Sequence, residues 1–102
     1  MSSFTIEATG NGATDALSLT PGDWLLEISA TTWDGASVTL QESLSGDSFA
    51  DSDDPYNTGN ALTRTANGKL AVCFGGCRVR LNVSSYGGST AGLKLVANPA
   101  SR

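Results

Sequence analysis

The stretch that decides the fold runs from Asp23 to Ser43, DWLLEISATTWDGASVTLQES. Trp24, Leu26, Ile28 and Ala30 alternate with Leu25, Glu27 and Ser29, and Ala36, Val38 and Leu40 alternate with Ser37, Thr39 and Gln41. A period of two puts one set of side chains on a buried face of a strand and the other towards water. Between the two runs stands Trp33-Asp34-Gly35, a turn signal. The stretch therefore predicts one β-hairpin. A two-residue Asp34-Gly35 turn would pair Thr31 with Val38 and mix the faces. A three-residue loop, with Gly35 left-handed at a bulge, pairs Ala30 with Val38 and Ile28 with Leu40. The three-residue loop is expected, and it leaves Trp33 at an exposed tip.

Further along, Leu70, Val72 and Phe74 share one face of a strand, and Cys77, Val79, Leu81 and Val83 share another. A two-residue Gly75-Gly76 turn would pair Phe74 with Cys77, Val72 with Val79 and Leu70 with Leu81, so that every inward residue meets an inward residue. Arg78, Arg80 and Asn82 would then point outward. Upstream, residues 4–8 read as a strand with Phe4 and Ile6 on one face, residues 9–14 as a loop, and Asp15 to Leu19 as a short strand ended by Pro21-Gly22. Downstream, Ala61 to Thr65 reads as an edge strand, and Thr90 to Ala97 as a last strand with Leu93 and Leu95 inward. No helical period occurs. The expected fold is all-β, an antiparallel β-sandwich or jelly-roll-like barrel of about seven to eight short strands. It forms a single domain over residues 1–102, with an N-terminal arm (about 1–9) available for exchange with a neighbour.

The composition agrees. Among 102 residues there are 12 glycines, and only 16% of the chain is charged, which suits strands and turns better than helices. The formal net charge is −4 and the isoelectric point about 4.4, so nucleic acid is not an expected partner, since phosphates demand a basic patch. No apolar run is long enough for a membrane helix, and no leader-like segment precedes the first strand, so synthesis in the cytoplasm is expected. The basic residues, Arg64, Lys69, Arg78, Arg80, Lys94 and Arg102, lie in the second half and the acidic ones almost wholly in the first. That asymmetry suits either a self-complementary oligomer interface or a plain solvated surface.

Candidate chemistry is sparse. Cys73 and Cys77 form a C-x3-C whose favoured register turns one thiol out and the other in, so two free thiols are expected. A zinc site would need two further ligands, and the chain has no histidine. Asp47, Asp51, Asp53 and Asp54 supply hard oxygens for Ca²⁺, but Ser52 and Thr58 stand where a calcium loop begun at Asp47 needs glycine and glutamate, and Tyr56 and Leu62 where one begun at Asp51 does. A solvated loop is expected. Serines are plentiful, yet there is no histidine base and no G-x-S-x-G elbow, so no enzyme, no metal and no cofactor are expected. Exposed aromatics remain. Trp33, Tyr56 and Tyr86 can stack on sugar rings, anchor an interface, or simply cover the ends of a sandwich.

The runs PGDWLLEISATTWDGASVTLQESLSGDSF and TANGKLAVCFGGCRVRLNV carry a resemblance. With Ala30 to Gly35, Val38 to Ser43, Ser45 to Phe49 and Arg78 to Val83, the chain is similar over about two-thirds of its length to small all-β virion proteins of tailed bacteriophages. These serve as capsid decoration (cement) proteins, head-fibre bases or tail-fibre modules. The resemblance implies a non-enzymatic structural protein on the outer capsid surface, bound to the major capsid protein as a homotrimer, with neither nucleic acid nor membrane as partner. No functional residue carries over, because the shared positions are core and turn positions. Contact candidates from the residues themselves are Phe4, Ile6, Trp33, Tyr56, Arg78 and Arg80. The alternative is a carbohydrate-binding β-sandwich module on a tail fibre or a secreted enzyme, using Trp33 and the acidic loop.

Overall fold

A computed structural model describes residues 4–43, 48–52, 59–74 and 77–99, with side chains described for all of these except 70–74 and 77. In chain order the strands among them are β1 (Phe4–Glu7), β2 (Gly12–Ala13), β3 (Leu17–Leu19), β4 (Gly22–Ser29) and β5 (Ser37–Ser43). They continue as β6 (Ala50–Asp51), β7 (Thr63–Arg64), β8 (Gly68–Phe74), β9 (Cys77–Ser84) and β10 (Lys94–Pro99). Every pairing is antiparallel.

Sheet A has the order β1-β10-β4-β8. Sheet B has the order β2-β9-β5-β6, with β3 also on β9 and β7 also on β5. If the collinear fragments β2/β3 and β6/β7 are each counted as one position, every sheet has four positions and the chain winds between them as a jelly roll. The inner faces close on each other. Ile6, Trp24, Leu26, Ile28, Leu95 and Ala97 from sheet A meet Leu19, Val38, Leu40, Val79, Leu81 and Val83 from sheet B, all buried in one cluster. Trp24 also satisfies its polar atom, donating its indole N–H to the Thr20 carbonyl at 2.9 Å.

Neither expected hairpin forms. β4 pairs with β10 and β8, while β5 pairs with β9, β6 and β7, so the Asp23–Ser43 stretch crosses from one sheet to the other. The turn itself exists in the two-residue form. Ala36 N donates to Trp33 O at 2.9 Å, and Asp34 and Gly35 both take positive φ (46° and 78°). Beyond it Thr32 bridges to Ala91 rather than to β5. The second pair separates in the same way: β8 lies on β4, and β9 is flanked by β5 on one side and β2/β3 on the other. The cause is physical. In a hairpin Ile28 and Leu40 would lie side by side on one sheet; here they meet face to face from two sheets. Both arrangements bury the same alternate residues, so the period of two is identical in each.

The N-terminal arm is also sewn in. β1 pairs with β10 of its own chain, Phe4 opposite Ala97 and Glu7 opposite Lys94, and Ile6 is 5% exposed within the core.

The edges of sheet B are mended by side chains and loops. Between β2 and β3, residues 14–16 face only Arg80 and Leu81 of β9, a bulge. Thr14 N donates to Leu81 O at 2.8 Å, and Leu81 N donates back to the Thr14 hydroxyl at 3.0 Å, which replaces a main-chain acceptor. Between β6 and β7, Leu40 N donates to Leu62 O at 2.9 Å, Ser52 N to Leu40 O at 2.8 Å, and Leu62 N to Ser52 O at 2.8 Å. Leu62 closes the core there, but the buried Ser52 hydroxyl has no hydrogen-bond partner among the described residues.

Candidate functional site

The connections β1–β2, β4–β5, β7–β8 and β9–β10 all lie at one end of the sandwich, as the register across sheet A requires. Side chains tie them together. Asn67 Oδ1 accepts the Trp33 indole N–H at 2.8 Å and the Ala30 N–H at 2.9 Å. The Thr90 hydroxyl donates to Trp33 O at 2.9 Å and accepts from Gly87 N at 2.9 Å. Asp34 Oδ2 accepts from Ser89 N at 3.0 Å, and Asn11 Oδ1 from Tyr86 N at 2.8 Å. Gly92 completes the junction with φ +67°, its would-be Cβ only 2.6 Å from Thr31 Oγ1. Short polar side chains thus saturate loop main-chain groups that no ladder serves.

Trp33 is therefore not an exposed tip. It is half-buried, packs against the core, and has its N–H committed to Asn67. The hydrogen-bonded loops decide this, because a β-turn that joins two sheets lies over the open end of the core. Tyr86 is packed in the same way. Tyr56 lies outside the described residues, as do Asp47, Asp53 and Asp54 of the acidic stretch. Asp51 is described; it is exposed and accepts a hydrogen bond from the Gln41 amide at 2.9 Å.

A second surface is the outer face of sheet B. Arg80 Nε donates to Gln41 Oε1 at 2.8 Å, and the guanidinium carbon stands 4.0 Å from the centroid of the Phe49 ring, a cation–π contact. With Asp51 beyond Gln41, this forms a chain of contacts across β9, β5 and β6. Arg78 is exposed on the same strand, and Val79, Leu81 and Val83 are buried between the outward residues, as the alternation predicts. Thr39 and Thr63 extend the polar face with a hydroxyl pair at 3.1 Å.

The third surface is the β1 edge. Phe4 is 39% exposed, one of two large exposed apolar side chains among the described residues together with Leu25, and its ring lies 5.9 Å from that of Trp24. Ile6, expected on a contact surface, belongs to the core instead. The described candidates thus fall in separate places: Phe4 on the edge of sheet A, Trp33 in the tied loops, and Arg78 and Arg80 on the outer face of sheet B. Asn67, Gln41 and Phe49, which hold Trp33 and Arg80, carry no sequence signal of their own, since each acts through a partner far away in the chain. A small polar concavity of about 230 Å³ runs inside the β1–β2 loop, from Glu7 to Asp15. No helix among the described residues is long and apolar enough to cross a membrane.

Compared with family models, with curated proteins and with solved structures, the chain shows no match to any of them.

Proposed function

We propose that the chain is a non-enzymatic structural protein of a phage virion, a decoration protein that binds the major capsid protein on the outer head surface and stabilises the shell. The observation that carries this is the jelly-roll winding of two four-position sheets, an architecture that recurs in viral capsid proteins and in lectins. The fold is shared by both classes, so the choice between them falls to the surface. Ring stacking on a sugar needs an aromatic face open to solvent, and Trp33 and Tyr86 pack against the core instead. The resemblance of residues 21–49 and 65–83 to small virion proteins points the same way. A decoration protein works through extended polar surface on a rigid frame. The Arg80–Gln41–Asp51 chain on sheet B and the tied loops at the sandwich end offer such surface.

The test is co-sedimentation of the purified chain with expanded heads of the virus that encodes it, alongside a glycan array. Saturable binding to heads, a raised temperature of head disruption and a blank array are expected. Glycan binding together with failure to sediment with heads would sink the proposal in favour of the carbohydrate-binding module. Arg80→Ala, which dismantles the polar chain on sheet B, is expected to weaken head binding while leaving the fold intact.

A further inference from the structure

Sheet edges expose unpaired main-chain groups, and most edges of this molecule are blunted. Those of sheet B are split into fragments, β2/β3 and β6/β7, by the bulge at residues 14–16 and by the departure of the chain after Ser52. Sheet A differs. β8 runs unbroken from Gly68 to Phe74 with β4 as its one strand neighbour among the described residues, contains no proline, and carries a single charge, Lys69. At the opposite edge, β1 has β10 as its one strand neighbour among the described residues and presents the exposed Phe4 and the exposed Glu7.

We propose that the β8 edge of one copy binds the β1 edge of a second copy of this chain, head to tail, as an added antiparallel strand. Three observations select this occupant. The strands of sheet A alternate in direction over four positions, so β8 and the β1 of the next copy run antiparallel about an axis along the strands. Setting Glu7 opposite Lys69 puts Phe4 opposite Val72 and Ile6 opposite Leu70. Val72 and Leu70 stand in register with the buried Trp24 and Leu26, so the faces agree across the seam. The same register continues a row of alternating charge. Lys94 faces Glu7 within one copy and Lys69 faces Glu27 within the other, giving Lys94, Glu7, Lys69 and Glu27 on four successive strands. Opposite charges on facing strands stabilise a pairing and like charges oppose it. A contact of this heterologous kind closes into a ring or runs on as a fibre, according to the rotation it imposes. It follows from the strand edges alone and does not depend on what the protein binds.

Sedimentation velocity of the full chain over a range of concentrations tests it. The chain is expected to assemble, and Lys69→Glu or Glu7→Lys alone to weaken assembly roughly tenfold by placing like charges in the row. The double variant Glu7→Lys with Lys69→Glu restores it. Both positions are exposed, but Glu7 faces Lys94 and Lys69 faces Glu27 within one copy, so each reversal is expected to lower the thermal transition slightly while the monomer stays folded, which is checked in parallel. A monomer at every concentration, assembly indifferent to both reversals, or loss of assembly without rescue overturns the proposal.

Discussion

The two sheets solve the same problem differently. Sheet A is built of whole strands, with β4 and β10 in its interior hydrogen-bonded along their length and Leu26, Ile28 and Leu95 fully buried. Sheet B has equally regular interior strands, β5 and β9, but its edges are fragments of two or three residues. There the ladder is completed by the Thr14 hydroxyl on one side and by the Ser52–Leu40–Leu62 main-chain junction on the other. A strand that carries its own ladder depends on side-chain volume, whereas a fragment depends on single polar atoms. The two should therefore fail in different ways.

The largest effect is expected in the interior of sheet A. Leu95→Ala removes a side chain with no exposure and should cost about 2–5 kcal/mol in chemical denaturation, with the slope unchanged. At the bulged edge of sheet B, Thr14→Val keeps the shape but takes the acceptor from Leu81 N. It should cost about 1–3 kcal/mol, while Thr14→Ser should cost clearly less because the hydroxyl is retained. If serine and valine behaved alike, the hydroxyl would not be completing the ladder. Amide exchange sharpens the contrast without mutation. Amides of β4 and β10 should exchange near the global unfolding limit, and those of β6 and β7 through cheaper local openings. The smallest effect has the opposite sign. Ser52→Ala removes a buried hydroxyl that has no hydrogen-bond partner among the described residues, and should leave stability unchanged or raise it by up to about 1 kcal/mol. A marked loss would mean that the hydroxyl is partnered in solution.

The same contrast explains what was legible in the sequence. The inward residues of the long strands, Leu26, Ile28, Val38, Leu40, Val79, Leu81 and Leu95, follow from alternation alone, and so does the all-β fold. Strand partners do not follow, because alternation reports which face is buried and is silent on which strand lies alongside. Asp34-Gly35 is a strong hairpin signal and does form its turn, yet the strands it joins part into different sheets once Thr31 and Thr32 pair with Ala91. That pairing lies about sixty residues away in sequence, beyond the reach of any local pattern. The fragments were invisible for a related reason. β2 and β6 are glycine- or alanine-containing pairs with no exposed-and-buried rhythm to detect. On the candidate surfaces, the outward placement of Arg78 and Arg80 was legible from the strand period. The burial of Trp33 was not, since it depends on Asn67 and Thr90 arriving from two other loops.

The position of β10 between β1 and β4 bears on how the molecule comes into being. The last strand of the described chain is an interior one, so Leu26 and Ile28, flanked by β8 on one side, lack their other strand neighbour until Lys94–Pro99 has emerged from the ribosome. Neither sheet can close early, because the long strands pair with partners distant in sequence, and folding of such topologies runs on the slow scale of milliseconds to seconds. A nascent or truncated chain that stops before Lys94 would hold two unjoined edges where the middle of a sheet belongs. Quality control of this protein therefore turns on the segment Lys94–Pro99.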